Sequence, residues 1–182
     1  MTDTVRLNLD PDYFPLLEGF KLRYEHTSTE FEGVETVETV YGEVKAFRDD
    51  AECLVTLTRS RGGARPTLET YRVVRDAKRL YAEGGVLRIP RVEFVRPPVA
   101  GKSWVEAPNR HVIAASDARI EVPAGRFGRC LRVNTFLAGG DGGSAIRYYA
   151  PGLGYVYEEY SDEAWGSRVK LLGFEPPGRK LA

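Results

Sequence analysis

The sequence predicts an all-β fold in one domain, built as a single antiparallel sheet that curves into a half-barrel or barrel. Apolar and polar residues alternate with a period of two in one segment after another, turn residues recur roughly every eight to fifteen residues, and no segment carries a long helical stripe. A flat meander of about ten or eleven strands would expose two edges and one apolar face, and curling buries them. A two-sheet β-sandwich is the alternative.

Each segment supports this prediction in turn. Phe20, Leu22, Tyr24 and His26 alternate with charged residues, and the next segment, 36–47, is rich in β-branched and aromatic residues with a bend or bulge expected at Gly42. The run Gly139 to Gly143, GGDGG, is the strongest turn pattern in the chain. The other predicted strands lie in ECLVTLTRS, LETYRVVRD, KRLYAEGGVLRI, HVIAASDARIEV, RFGRCLRVNTFL, SAIRYYA, YVYEEYSD and SRVKLLGF.

Two regions do not follow the strand pattern. The segment after Asp10 predicts one short helical turn with Pro11 at its first position. In the middle third, Pro90, Pro97, Pro98 and Pro108 exclude a central strand and predict edge strands, loops or a crossover.

Composition limits the function classes. The chain has 182 residues, 42% of them hydrophobic and 29% charged, so a single domain over residues 1–182 can bury a core without a metal or disulfide. Lys plus Arg and Asp plus Glu are 26 each, so no net field attracts a polyanion and nucleic acid is not an expected partner. Cys53 and Cys130 lie in apolar strand segments, which predicts two reduced, buried thiols rather than a bridge.

The N-terminal residues and the hydropathy pattern bear on location. The first residues are acidic where a signal peptide is basic, and no apolar run follows them. This pattern predicts a cytoplasmic protein. If a leader has been removed, the envelope is expected instead. No apolar run is long enough for a membrane span.

Residues for catalysis or cofactor binding are sparse, so we expect neither an enzyme nor a cofactor. There is no phosphate-binding loop, nucleophile elbow or dinucleotide fingerprint, and His26 and His111 are too far apart in sequence for a metal motif. His111 with Asp117 and Ser116 is a conceivable catalytic group, but a structural role for a histidine in a strand is favoured. Neighbouring carboxylates, Glu158–Glu159 and Asp49–Asp50, are expected to be solvated.

The tyrosine-rich stretch RYYAPGLGYVYEEY predicts a corner between two strands. Pro151 fixes its own backbone angle, and Gly152 and Gly154 permit the reversal, with a positive φ expected for at least one of them. Strand alternation predicts that Tyr155 and Tyr157 share one face. These rings either cover the sheet or form the wall of a ligand cavity.

Four motifs resemble a bacterial domain family of unknown function (TapB-like). They are DYFPLLEGFKLRY, GKSW, VPAGRFGRCLRV and YYAPGLGYV, and they cover most of the chain in order. The family is similar to the half-barrel superfamily of lipoprotein carriers, in which a strongly curved antiparallel sheet forms a cup. The resemblance therefore implies a half-barrel with apolar contents, and it implies no particular activity.

These observations lead to two hypotheses about function. The first is a non-catalytic binding or carrier domain that holds an apolar or amphipathic small molecule or lipid in the concave face of the sheet. The second is an interaction module that uses a sheet edge, including as a homo-oligomer. We expect Trp104 to be largely buried and to anchor an irregular crossover. The ligand-binding candidates are Phe20, Leu22, Tyr24, Trp104, Tyr149, Tyr155 and Tyr157.

Overall fold

The structure, a computed structural model, describes residues 11–138 and 142–178 and consists of strands joined by turns and loops. The twelve strands are β1 (Lys21–Ser28), β2 (Glu35–Phe47), β3 (Asp50–Arg61), β4 (Thr67–Arg75), β5 (Arg79–Ala82), β6 (Arg91–Val95), β7 (Ser103–Glu106), β8 (Asn109–Val122), β9 (Gly125–Leu137), β10 (Gly143–Ala150), β11 (Gly154–Ser161) and β12 (Gly166–Glu175).

All twelve strands form one antiparallel sheet that is nearly closed into a barrel. Their order is β6-β5-β4-β3-β2-β1-β12-β11-β10-β9-β8-β7, so every neighbouring pair is consecutive in the chain except β1 and β12. The two edge strands, β6 and β7, lie beside each other where the barrel would close. The predicted all-β curved sheet is confirmed, and the sandwich alternative is not adopted.

Alternation along the strands places the core inside the barrel. In β1, Leu22 and Tyr24 are buried while Lys21 and Arg23 are exposed. Inward residues of the other strands meet them in one continuous apolar cluster. Each fully buried aliphatic or aromatic side chain stabilises the fold by about 1.5–3 kcal/mol relative to exposure. Cys53 and Cys130 belong to this core as free thiols, as predicted.

The segment before β1 closes one end of the barrel, and the predicted helical turn there is wrong. Asp12 Oδ1 accepts a hydrogen bond of 3.0 Å from the Phe14 N–H, which is a local turn of non-helical backbone. The Phe14 ring lies among the core aromatics, 6.2 Å from the Tyr41 ring. The burial of Tyr13, Phe14 and Leu16 in the barrel end outweighs the weak helical preference of so short a segment.

Other sequence predictions agree with the structure. Strand pairing shifts register between Tyr41 and Val44, and a Cβ on Gly42 would lie 2.9 Å from the Leu54 carbonyl oxygen, so the bend requires glycine. Pro97 and Pro98 lie in the loop between the edge strands. β9 and β10 pair as the GGDGG turn predicts, although residues 139–141 of that turn lie outside the described residues. Over the described ranges, no helix is long and apolar enough to cross a membrane.

Candidate functional site

Five of the seven candidate ligand-binding residues form the packed interior of the barrel. Phe20, Leu22, Tyr24, Tyr149 and Tyr155 are each 8% exposed or less. They contact each other directly, as in the Tyr24 and Tyr155 rings, whose centroids are 5.6 Å apart. The void that Tyr24 and Tyr155 help to line measures about 30 Å³, which is the volume of roughly one water molecule. In this conformation the protein's own side chains fill the predicted cup.

Tyr157 lies on the opposite face from Tyr155, so the predicted pairing of these two rings is wrong. The register between β10 and β11 shifts after Tyr148, which pairs with Tyr157, while Tyr149 pairs with Tyr155. The extra residue, Val156, forms a β-bulge, and a bulge breaks the alternation on which the prediction depended. Tyr157 instead packs edge-to-face against Tyr148 at 5.9 Å.

The corner itself is confirmed. Both glycines have positive φ, +74° at Gly152 and +102° at Gly154. The Gly152 N–H donates a hydrogen bond of 2.8 Å to the Asp12 carbonyl, which ties the corner to the N-terminal segment.

Trp104 lies in the edge strand β7, not in an irregular crossover as predicted, and it is half-buried. Its ring stacks on His111, its cross-strand partner, with centroids 5.0 Å apart and planes 14° from parallel. The pairing follows from the short edge strand 103–106, and an edge strand was one of the alternatives predicted for the proline-rich middle third.

Between the edge strands, side chains take the place of a backbone ladder. The Val92 N–H on β6 donates to Glu106 Oε1 on β7 at 2.8 Å. Arg147, which reaches across from β10, donates to the Glu93 carbonyl at 3.1 Å. The Tyr149 hydroxyl donates to the Glu93 carboxylate. We call this zone the seam, and its side chains are Arg91, Glu93, Glu106, Arg147, Tyr149 and Glu158.

The strongest ion pair of the seam joins Arg91 and Glu158. Arg91 Nη1 and Nη2 lie 2.7 and 2.8 Å from the two carboxylate oxygens, and the Tyr155 hydroxyl donates to Glu158 Oε2 at 2.7 Å. Burial opposes ionisation of Glu158, but the adjacent Arg91 outweighs it and holds the pKa of the carboxyl below its usual value. Arg91 and Arg147 are matched by Glu93 and Glu158, and Glu106 adds a third carboxylate, so the seam is a network of buried ion pairs and hydrogen bonds between the edge strands.

The burial of Glu158 contradicts the prediction that the Glu158–Glu159 pair is solvated, although Glu159 is exposed. The same bulge at Val156 turns Glu158 inward. Arg147 could have been identified from the sequence, because it alternates with Ala145 and Tyr149 on the inward face of β10.

A large opening outlined by described residues lies at the end of the barrel opposite the N-terminal segment. Loops 29–34, 62–66, 83–90 and 162–165 surround a cavity of about 610 Å³. At the closed end, a cleft of about 540 Å³ is lined by Tyr13, Leu80, Phe94 and Pro97, among others. We call the larger opening the mouth, and its walls include Phe31, Arg61, Arg65, Leu87, Arg88 and Trp165.

A chain of hydrogen-bonded polar side chains forms the floor of the mouth. His26 Nδ1 lies 2.9 Å from Glu35 Oε2, and Arg59 Nη1 donates to the same oxygen at 3.0 Å. Arg59 Nε donates to Glu69 Oε1 at 3.3 Å, and Arg88 Nη2 donates to that oxygen at 2.6 Å. The inward positions of four adjacent strands bring these residues together, because His26 pairs with Glu35 and Arg59 lies on the next strand.

Ser167 completes this chain, with its Oγ 2.6 Å from His26 Nε2. Burial lowers the pKa of His26. For Glu35, burial alone would raise the pKa, but the hydrogen bond from His26 and the charge of Arg59 outweigh burial and lower it. At neutral pH the imidazole is therefore neutral and the carboxylate ionised, so Nδ1–H donates to Glu35 and Nε2 accepts from the Ser167 hydroxyl.

This connectivity resembles a Ser-His-Glu triad, but the serine is not presented to solvent. Ser167 lies in the regular strand β12 with 6% exposure, and its Oγ also lies 3.2 Å from the Thr27 carbonyl oxygen. Nucleophilic serines require access to a reacting carbonyl. We therefore assign Ser167, His26 and Glu35 to holding the floor in place.

The group His111, Asp117 and Ser116 is not assembled as a catalytic site. His111 Nδ1 lies 2.8 Å from Thr135 Oγ1, and Nε2 lies 3.3 Å from Glu106 Oε2 in the seam. The Ser116 carbonyl, rather than its hydroxyl, accepts a hydrogen bond from Tyr13. Burial, together with the Arg147 and Arg91 charges, lowers the pKa of His111 to about 4. Among the residues the structure describes, no group of three potential ligands could hold a metal ion.

Comparisons with known proteins identify relatives of the fold. No protein-family model matches this sequence, and no curated protein matches it. A crystal structure of a "putative lipoprotein" from Parabacteroides distasonis is similar with a TM-score of 0.62 at 14% identity, covering 91% of this chain and 99% of the other. A "putative exported protein with YmcC-like fold" from Bacteroides fragilis gives 0.61 at 10% identity, covering 89% and 98%. At these identities the similarity shows a shared fold over nearly the whole of each chain.

Proposed function

We propose that this protein is a non-catalytic binding domain for an amphipathic small molecule or lipid, and that the ligand binds in the mouth of the barrel. The observation that carries the proposal is the contrast in volume between the mouth and the filled interior of the barrel. The mouth offers about 610 Å³, within the range of about 300–1,000 Å³ typical of ligand sites, whereas the interior void bordered by Tyr24 and Tyr155 is about 30 Å³.

The walls of the mouth suit a ligand with both apolar and polar parts. Phe31, Leu87 and Trp165 provide apolar surface, and Trp165 is held by stacking on Tyr160 with ring centroids 4.4 Å apart. Arg61 and Arg65 provide cationic groups in the same space. The fixed chain of hydrogen bonds beneath them keeps the floor preorganised, which lowers the entropic cost of binding.

The fold comparisons support an envelope location. Both similar structures have names that refer to a lipoprotein or an exported protein. We therefore propose that the protein acts in the bacterial envelope, rather than in the cytoplasm as its N-terminal residues predict. Fractionation of cells of the natural host that produce the tagged protein tests this proposal, and recovery only in the cytosolic fraction would contradict it.

Binding can be tested with the neutral apolar dye Nile red. Leu87→Glu places a charge in the apolar wall and should raise the dissociation constant at least tenfold, which corresponds to about 1.4 kcal/mol. The matched control is Leu54→Glu, because Leu54 is 54% exposed on the outer face of β3. The control variant should bind Nile red with an unchanged dissociation constant. No dye binding by the unmodified protein, or equal loss in both variants, would reject the mouth as the site.

The non-catalytic part of the proposal has its own test. We expect the protein to hydrolyse p-nitrophenyl acetate no faster than its Ser167→Ala variant, because Ser167 is shielded and serves the floor. A rate that depends on Ser167 would instead make the Ser-His-Glu connectivity a working triad.

The alternative of an interaction module acting through a sheet edge has less support. On the free edge of β6, the Val92 N–H is already hydrogen-bonded to Glu106 and the Glu93 carbonyl to Arg147. A partner strand would have to displace these buried, charge-assisted hydrogen bonds.

A further inference from the structure

We infer that the ligand of the mouth is an anion, carrying a carboxylate or phosphate head that binds between Arg61 and Arg65. This inference rests on the proposed function and specifies the chemical class of the ligand. It follows from the pairing of charged groups around the mouth, from the position of the two arginines and from the apolar surface beside them.

The carboxylates of the floor are already neutralised by other cations. Glu35 is held by Arg59 at 3.0 Å, with His26 neutral beside it. Glu69 is held by Arg59 at 3.3 Å and by Arg88 at 2.6 Å. The buried Arg59 also donates to the Gly85 carbonyl at 3.0 Å. Two arginines therefore compensate two glutamates, and the floor adds no net charge to the site.

Arg61 and Arg65 are the cationic residues of the mouth that do not take part in these ion pairs. Within residues 11–138 and 142–178, neither Arg61 nor Arg65 has a carboxylate oxygen within 4.0 Å. The acidic residue that lines the same walls is Glu30, and within the same ranges it has no cationic nitrogen within 4.0 Å. The walls thus carry two positive charges against one negative charge. Since the whole chain has a net charge of zero, this excess is local to the mouth.

The two arginines are placed on either side of a tight turn. Gly62 and Gly63, both with positive φ, form the β3–β4 turn between them, so Arg61 and Arg65 lie at the rim of the same opening. The Arg61 guanidinium carbon lies 4.7 Å from the centre of the Phe31 ring. Stacking on an aromatic face fixes the guanidinium plane and leaves its edge donors free for a planar or tetrahedral anion.

The neighbouring apolar surface gives the ligand its second part. Leu87 and Trp165 line the same cavity as the arginines, so an anionic head at the rim leaves an alkyl or aryl group against them. A fatty carboxylate and an alkyl phosphate share this chemistry. Arginine binds either head through paired N–H donors.

The experiment compares three ligands with the same ten-carbon chain, decanoate, decyl phosphate and 1-decanol, in titration calorimetry at low salt. We expect both anions to bind at least tenfold more tightly than the alcohol, with the difference shrinking as salt screens the exposed arginines. The tighter of the two anions identifies the head as carboxylate or phosphate. Decanol affinity equal to that of both anions would overturn the inference while leaving the proposed function intact, and no binding of any of the three would overturn both.

Matched variants locate the interaction. Arg61→Gln/Arg65→Gln should reduce anion affinity at least tenfold and leave decanol affinity unchanged. The control, Arg23→Gln/Arg119→Gln, removes the same charge from exposed positions on strands β1 and β8 and should change neither. Unchanged anion affinity in the first double variant, or an equal loss in the control, would overturn the assignment of Arg61 and Arg65. Circular dichroism of each variant confirms that the fold is retained.

Discussion

The buried pair Arg91–Glu158 offers the most informative test of the seam. Glu158→Gln preserves the shape of the side chain and removes its charge. The glutamine oxygen can still accept from Arg91 and Tyr155, but one of the two Arg91 bonds, at 2.7 and 2.8 Å, is lost. A charge-assisted bond contributes about 1.5–3 kcal/mol, and removing one partner of a buried ion pair costs about 3–5 kcal/mol. Arg91 keeps Glu93 at 3.1 Å, so we expect the low end, about 3 kcal/mol.

Urea unfolding followed by circular dichroism measures this loss, and a double-mutant cycle with Arg91→Met separates the pair from its surroundings. The double variant should be more stable than the sum of the single losses predicts, by at least about 1 kcal/mol, because Glu158 is no longer left as a buried charge without Arg91. The exposed pair Glu121–Arg126 is the control, and Glu121→Gln should stay within about 0.5 kcal/mol. A Glu158→Gln loss below about 1 kcal/mol would show that the ion pair does not hold the seam.

Three further predictions concern single residues. Gly152→Val and Gly154→Val should each lower the free energy of unfolding by more than about 1 kcal/mol, because both glycines have positive φ. The control Gly128→Val should not, because Gly128 has no positive φ and open space around it. Equal effects of the three variants in urea titrations would reject the corner argument. Trp104→Ala should cost about 2 kcal/mol in the same assay, less than a fully buried tryptophan, and a loss above about 4 kcal/mol would show that the edge strand is a main element of the core. Burial lowers the pKa of His111 to about 4 in the folded protein, against about 6.5 for an unperturbed histidine in the unfolded chain. The unfolded chain therefore binds more protons below pH 6.5, so stability should be full above pH 6.5 and fall by up to about 3 kcal/mol towards pH 4. His111→Gln should reduce that fall, and an unchanged pH profile would contradict the assignment.

The sheet could be predicted because strand alternation is a local property. Phe20, Leu22 and Tyr24 repeat every second residue, and the structure places all three inside the barrel. The Pro151–Gly154 corner was predictable for a similar reason, since only glycine adopts positive φ without a steric cost.

The seam and the face of Tyr157 were not predictable because they depend on pairing between strands. A bulge at Val156 is a difference in register between β10 and β11, and nothing in YVYEEY alone shows which residue is the extra one. Glu158 was expected in solvent because a lone carboxylate prefers water, and its buried partner, Arg91, lies 67 residues away in the chain.

The mouth was missed because its residues come from four loops and strand ends. His26 and Glu35 are nine residues apart, but Ser167 is 141 residues from His26. The arginines on either side of Gly62–Gly63 were visible as a local basic group, and the structure adds the cavity and the aromatic rings that face them.

The order of the strands also determines how the polypeptide can assemble. β1–β6 and β7–β12 are two consecutive meanders, each formed from neighbouring hairpins that can close early. Pairing β1 with β12 joins residues at opposite ends of the chain and must wait for the slow closure of a very long loop. The segment 96–102 is the covalent link between the two meanders, and among the described strands no backbone ladder crosses it. Cleaving the polypeptide there would leave every strand ladder intact, so the two halves could be produced separately and reassociate through β1–β12 pairing into a complemented barrel.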